Sequence, residues 1–162
     1  GGYGIMRFSI LLPSLFMLIA MAGIIATAIL CMRQTDLKAL IAMSSVSHMN
    51  LVIVAMLIQS EWSYMGAMAM MIAHGLTSSA LFSLANTTYE RTNSRSIILL
   101  RGAMLIFPLA GAWWLTILLF NMALPPSMGF YAELLIMVSL FSWSTTAFLM
   151  VILNLIFTTA YT

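Results

Sequence analysis

Three ionisable side chains stand inside otherwise apolar stretches of this chain: His48, His74 and Glu133. With an ordinary pKa near 6.5, imidazole takes up and releases protons around neutrality. His48 lies ten residues into the run that Lys38 opens, and His74 lies ten residues into the run that opens at Tyr64. Each has hydroxyls at helical spacing, Ser44 four residues before His48 and Thr77 and Ser78 three and four residues after His74. On a helix those offsets share a face, so each imidazole belongs to a polar stripe. Histidines, hydroxyls and water in a line form a proton path. The bland alternative is that each histidine only hydrogen-bonds a neighbouring helix and fixes packing.

Glu133 follows Pro126 by seven residues. Pro125-Pro126 removes two backbone donors and must break or kink a helix. A broken helix with a carboxyl beside it provides a place where an ion or proton can pause, provided the freed backbone is buried in protein or lines water. The competing reading makes Pro-Pro a plain interhelical loop and Glu133 an interfacial residue. Lys38, two residues after Asp36, suits a snorkelling anchor at a membrane face or, functionally, a gate or a charge partner at the mouth of the path. The methionines and Trp113-Trp114 read as packing, lipid-facing or interfacial residues.

The elements that must hold these groups are long and apolar. A helix crosses a hydrocarbon layer of about 30 Å with roughly 20 residues. The pattern predicts spans over 10–31, 38–58, 64–88, 103–123, 128–142 and 145–162, after an earlier one that ends at Arg7. The fold class is thus all-α, a polytopic transmembrane helix bundle with one Pro-broken helix, in a single domain over 1–162. The loop 32–37 with Lys38 and the loop 89–102 with Arg91, Arg95 and Arg101 are two spans apart and share a face; Glu61 lies on the other. Basic loops stay on the side of insertion, so the shared face is the cytosol-like one.

Composition agrees. Of 162 residues 63% are hydrophobic and 6% charged, against roughly 25% charged in a soluble domain, so the solvent is the lipid bilayer or other apolar protein. A net charge of +2 without clustered basic residues excludes a nucleic-acid footprint. The single cysteine, Cys31, excludes an internal disulfide and a thiolate metal or iron–sulfur centre. Gly1-Gly2-Tyr3-Gly4 reads as the tail of a helix whose beginning is missing, and the C-terminal span as cut short, so the chain is taken as a fragment. Sixteen methionines against one lysine suit an AT-rich genome with an extra Met codon, as in animal mitochondria.

The segments Gln34-Thr35-Asp36-Leu37-Lys38, Ser44-Ser45-Val46-Ser47-His48-Met49 and Met71-Ile72-Ala73-His74-Gly75-Leu76-Thr77-Ser78-Ser79 resemble the antiporter-like membrane-arm subunits of mitochondrial NADH:ubiquinone oxidoreductase, respiratory complex I. Ala85-Asn86, Tyr89-Glu90-Arg91, Trp113-Trp114, Asn121 to Pro126 and Phe141-Ser142-Trp143-Ser144 extend the likeness over nearly the whole chain. The resemblance implies a multi-pass subunit of the mitochondrial inner membrane that translocates protons while the assembled complex oxidises NADH and reduces ubiquinone. It implies no redox centre or cofactor in this chain, other membrane-arm subunits as partners, and no nucleic acid. By motif, His48 and His74 match the family's central-axis histidines, Glu133 its acidic residue after the second broken helix, and Lys38 the lysine after Gln-Thr-Asp. The family's remaining charged groups lie upstream of Gly1, so only the exit half of a path is expected here. Where vertebrate members read Gly-Glu, this chain has Ala132-Glu133 behind Phe130-Tyr131. The rival expectation is a subunit of a multisubunit sodium/proton antiporter; a third is a membrane scaffold.

Overall fold

In the computed structural model, residues 2–7 and 13–162 are described, and all regular structure among them is helical. The expected start of the first span at residue 10 and the residue Gly1 lie outside the described set. A short α1 (Gly2–Arg7) precedes α2 (Pro13–Met32), α3 (Leu37–Ile58) and α4 (Glu61–Thr92), and these last three are long and apolar enough to cross a membrane. Short connections force α2, α3 and α4 to run alternately up and down.

The helix ends follow from local chemistry. Gln59 takes a left-handed conformation (φ 59°) and stops α3, and Ser60 then starts α4 with a reciprocal capping box, its hydroxyl accepting from the Ser63 N–H and Ser63 Oγ accepting from the Ser60 N–H. Such a box satisfies two of the backbone donors a helix start leaves free. This cap starts α4 at Glu61, three residues before the expected 64. At the far end α4 runs on to Thr92, taking in Tyr89, Glu90 and Arg91, which the sequence pattern places in a loop. Asn93, also left-handed (φ 52°), closes it by donating its N–H to Tyr89 O at 2.8 Å.

The stretch 103–123 departs further from expectation. It is not one span: α5 (Ala103–Ile106) stops at Phe107, and α6 (Pro108–Asn121) begins on a proline at its first position. Proline lacks the N–H that would continue the helix and suits a helix start. At 14 residues, α6 is only about 21 Å long, too short to cross alone. After the turn holding Pro125-Pro126 comes α7 (Met128–Trp143), capped by Ser127, and then α8 (Thr145–Tyr161), capped by Ser144.

The packing explains what α6 and α7 are. Trp114, Ile117 and Leu118 of α6 pack on Ile41, Leu81 and Ala85, at the end of the bundle that carries the basic loops. Ala132, Ile136 and Leu140 of α7 pack with Ala67 and Met70 near the opposite end of α4. The two short helices lie one after the other along α4, so together they make a single crossing broken in the middle. The expected Pro-broken helix is present, with its halves being 108–121 and 128–143 rather than two separate spans. Gly66 permits the closest approach of α4 and α7: a Cβ there would stand 2.9 Å from Ile136 and 3.2 Å from the Ala132 carbonyl oxygen.

The basic loops meet, as their charge pattern required. Asp36 and Ser96 form an antiparallel bridge, with Leu37 N–H donating to Arg95 O at 3.1 Å and Ile97 N–H to Thr35 O at 3.0 Å. Outward faces of the helices carry bare apolar side chains such as Leu18, Leu109 and Leu149, the second of them 74% exposed. A surface of this kind is stable in lipid or against other apolar protein.

Candidate functional site

At the level of the α6–α7 break, α3, α4, α6 and α7 border a small, partly open cavity of about 20 Å³. His48 reaches it from α3, His74 and Thr77 from α4, Phe120 and Asn121 from the end of α6, and Gly129 and Glu133 from the start of α7. Two of these approaches depend on the break. A continuous helix would bury its backbone in its own hydrogen bonds, whereas here the chain leaves the helix at Met122 and returns only at Met128. Ala123, buried in the turn, holds φ 51°, a left-handed conformation that costs a non-glycine residue roughly 1–2 kcal/mol. Strain of this kind persists where the surroundings impose it, often at functional sites.

The two histidine rings face each other with centroids 5.4 Å apart and planes tilted by 37°. His48 is 6% exposed and its Nε2 is buried without a hydrogen-bond partner in the protein. Two positive charges at this separation repel by about 3 kcal/mol at an effective dielectric near 20. The pair therefore holds one proton far more readily than two, and a second proton's arrival favours departure of the first. Thr77 turns its hydroxyl back to Ala73 O (3.1 Å) and His74 O (3.3 Å), which leaves its oxygen free to accept. A cavity of this size admits about one water.

Of the residues singled out by sequence, the fold gathers His48, His74, Thr77 and Glu133, and sets three others elsewhere. Ser44, one turn before His48, donates to Ile41 O at 2.8 Å and lines a different, larger cavity. Ser78 is not among the residues lining the central cavity. Lys38 lies ten residues, about 15 Å of helix, from His48. Its Nζ donates to Asn86 Oδ1 at 3.4 Å and stands 5.0 Å from the centre of the Tyr89 ring, while Asn86 Nδ2 donates to Glu90 Oε1 at 2.8 Å. That network ties α3 to α4 at the basic face. Asn121 was not singled out by sequence reasoning; an amide in an apolar run four residues before Pro-Pro was the available signal. Among the described residues, no group of three or more His, Cys, Asp or Glu side chains could hold a metal ion.

A family model described as "NADH:quinone oxidoreductase/Mrp antiporter, TM" matches residues 1–159. The NADH-ubiquinone oxidoreductase chain 4 of Struthio camelus is 53% identical over the whole chain, which spans 37% of that relative. The chain 4 of Crotalus adamanteus is 52% identical over 99% of the chain, here covering 73% of the relative. Among solved structures, respiratory complex I from Thermus thermophilus with bound NADH contains a similar chain, with a TM-score of 0.87 and 27% identity over 93% of this chain and 32% of that one.

Proposed function

Because the chain belongs to the NADH:quinone oxidoreductase/Mrp antiporter transmembrane family, we propose that it forms part of a membrane-arm subunit of respiratory complex I and carries a segment of its proton path. The observation that supports this reading most is the His48–His74 pair, set with Thr77 and Glu133 around one cavity where a crossing helix is broken. In this reading, a proton rests on one imidazole, and the mutual repulsion of the pair drives it on when a second arrives. Glu133 accepts it across the cavity through Thr77 or a water, and passes it on along the path. Lys38 and Ser44 serve the approach from the basic face rather than the centre, and Ser78, which lines neither cavity, has no part in the path.

The redox chemistry belongs to the assembled enzyme: NADH and ubiquinone are its substrates, and this chain brings neither flavin nor metal. Its partners are the other membrane-arm subunits and the lipid of the mitochondrial inner membrane. The rival, a subunit of a sodium/proton antiporter, shares the family model, but the chain 4 relatives and the complex I structure favour the respiratory assignment.

The test uses the complete subunit in assembled complex I. His48→Ala or His74→Ala is expected to lower proton-coupled NADH oxidation while electron transfer from NADH to an artificial acceptor in the hydrophilic arm continues at the wild-type rate. Loss of artificial-acceptor activity in a fully assembled variant would show that these histidines do more than serve the proton path.

A further inference from the structure

A second cavity, of about 950 Å³, lies between α3, α4, α6 and the segment 97–107. Its outer wall includes Arg91, Thr92 and Arg101, all exposed, so it reaches the basic face. Its inner wall includes Ser44, Tyr161 and Asn121. Asn121 also lines the central cavity of His48, His74 and Glu133, and among the described residues it is the one common to the linings of the two. The side chain stands at the last helical position of α6, directly before the strained turn at Ala123.

Two buried side-chain atoms on residues that line these cavities, His48 Nε2 and the Tyr161 hydroxyl, have no hydrogen-bond partner in the protein. Buried polar groups of this kind are ordinarily paired, with water where protein offers nothing. The large cavity is walled mainly by Leu, Ile and Trp, and its lining also carries Arg91, Arg101, Ser44, Thr87, Thr88 and Asn121 as polar groups.

We propose that Asn121 is the partition between a water-filled vestibule on the basic face and the central histidine–glutamate cavity, and that its carboxamide gates proton passage between them. The proposal rests on the proton-path reading above. An amide suits a gate: it donates and accepts at once, so it can bond water on both sides, and it cannot itself hold a proton near neutral pH.

The experiment places Asn121→Ala, Asn121→Leu and Asn121→Gln in the full subunit of assembled complex I reconstituted into vesicles, with Glu133→Gln alongside. Passive proton leak without NADH, and proton uptake per NADH oxidised, are measured per assembled complex. Opening the partition with alanine should raise the leak several-fold and lower the uptake ratio. Plugging it with leucine should lower coupled proton uptake without any leak, and glutamine should retain most of the wild-type behaviour. A residue that only packs would shift the amount of assembled complex and move neither readout in opposite senses. Wild-type leak and uptake ratio in both Asn121→Ala and Asn121→Leu, with Glu133→Gln impaired, would overturn the gate and leave the proton-path reading standing. Normal behaviour of Glu133→Gln as well would overturn both.

Discussion

His48, His74 and Glu133 could be picked out before any fold was known because ionisable groups are costly in apolar surroundings, and their scarcity in this chain made each visible. Their partners could not. Thr77 was found by its helical offset from His74, but the same rule also selected Ser44 and Ser78, and neither lines the central cavity. Helical periodicity reports which residues share a face, not which face meets the cavity. Asn121 and Phe120 arrive from a helix more than forty residues further along the chain, and only the break at 122–127 turns them inward. Thr77→Val gives a test at this scale. It keeps the shape and removes the oxygen that can accept in the cavity, so coupled turnover should fall by a factor of a few with assembly intact, while Ser78→Ala should leave turnover unchanged. Measuring quinone-dependent NADH oxidation for both variants checks this, and equal loss in the two would mean that the cavity does not define the path.

Helix existence was legible from hydropathy, and the ends of α3 and the Pro-Pro break were close to where the sequence pattern set them. The misreadings have definite causes. The start of α4 moved because the Ser60–Ser63 capping box lies before the apolar run, and its end moved because Asn93 rather than Tyr89 supplies the left-handed stop. The segment 103–123 looked like one span since hydropathy is blind to Pro108, which divides it. That α6 and α7 are halves of one crossing needed the packing: Trp114 and Leu118 on Leu81 and Ala85, Ala132 and Ile136 on Ala67 and Met70. The close contact at Gly66 supports a prediction for this level. Gly66→Leu would push its side chain into Ile136 and the Ala132 carbonyl. Overpacking of this kind costs about 1–3 kcal/mol or more, and it should move α7 off α4 and with it Glu133. Lower yield of assembled complex, together with reduced coupled turnover in what assembles, is the expected result; Gly66→Ala should show the same changes more weakly. Wild-type yield and turnover in Gly66→Leu would contradict the assigned packing.

For the molecule as a whole, the paired loops around Asp36 and Ser96 put Arg33, Lys38, Arg91, Arg95 and Arg101 at one end. From the positive-inside tendency we propose that this end faces the matrix. Thr92→Cys, at an exposed position, should react with an impermeant thiol reagent in inside-out inner-membrane vesicles and stay unlabelled in intact mitochondria stripped of their outer membrane. The reverse pattern would invert the topology. In the proposed orientation the large cavity lies on the matrix side of the histidine pair, and Glu133 is the one carboxyl of the chain set inside an apolar crossing. Asp36, Glu61 and Glu90 all lie at helix ends or loops. The central claim is that this carboxyl must ionise for protons to pass. Glu133→Gln preserves size and most hydrogen bonding but cannot ionise, and Glu133→Asp only shortens the reach. The most direct measurement is proton uptake driven by NADH oxidation in vesicles containing assembled complex I: strongly impaired uptake for Glu133→Gln and partial activity for Glu133→Asp are predicted, and wild-type uptake for Glu133→Gln would contradict the account.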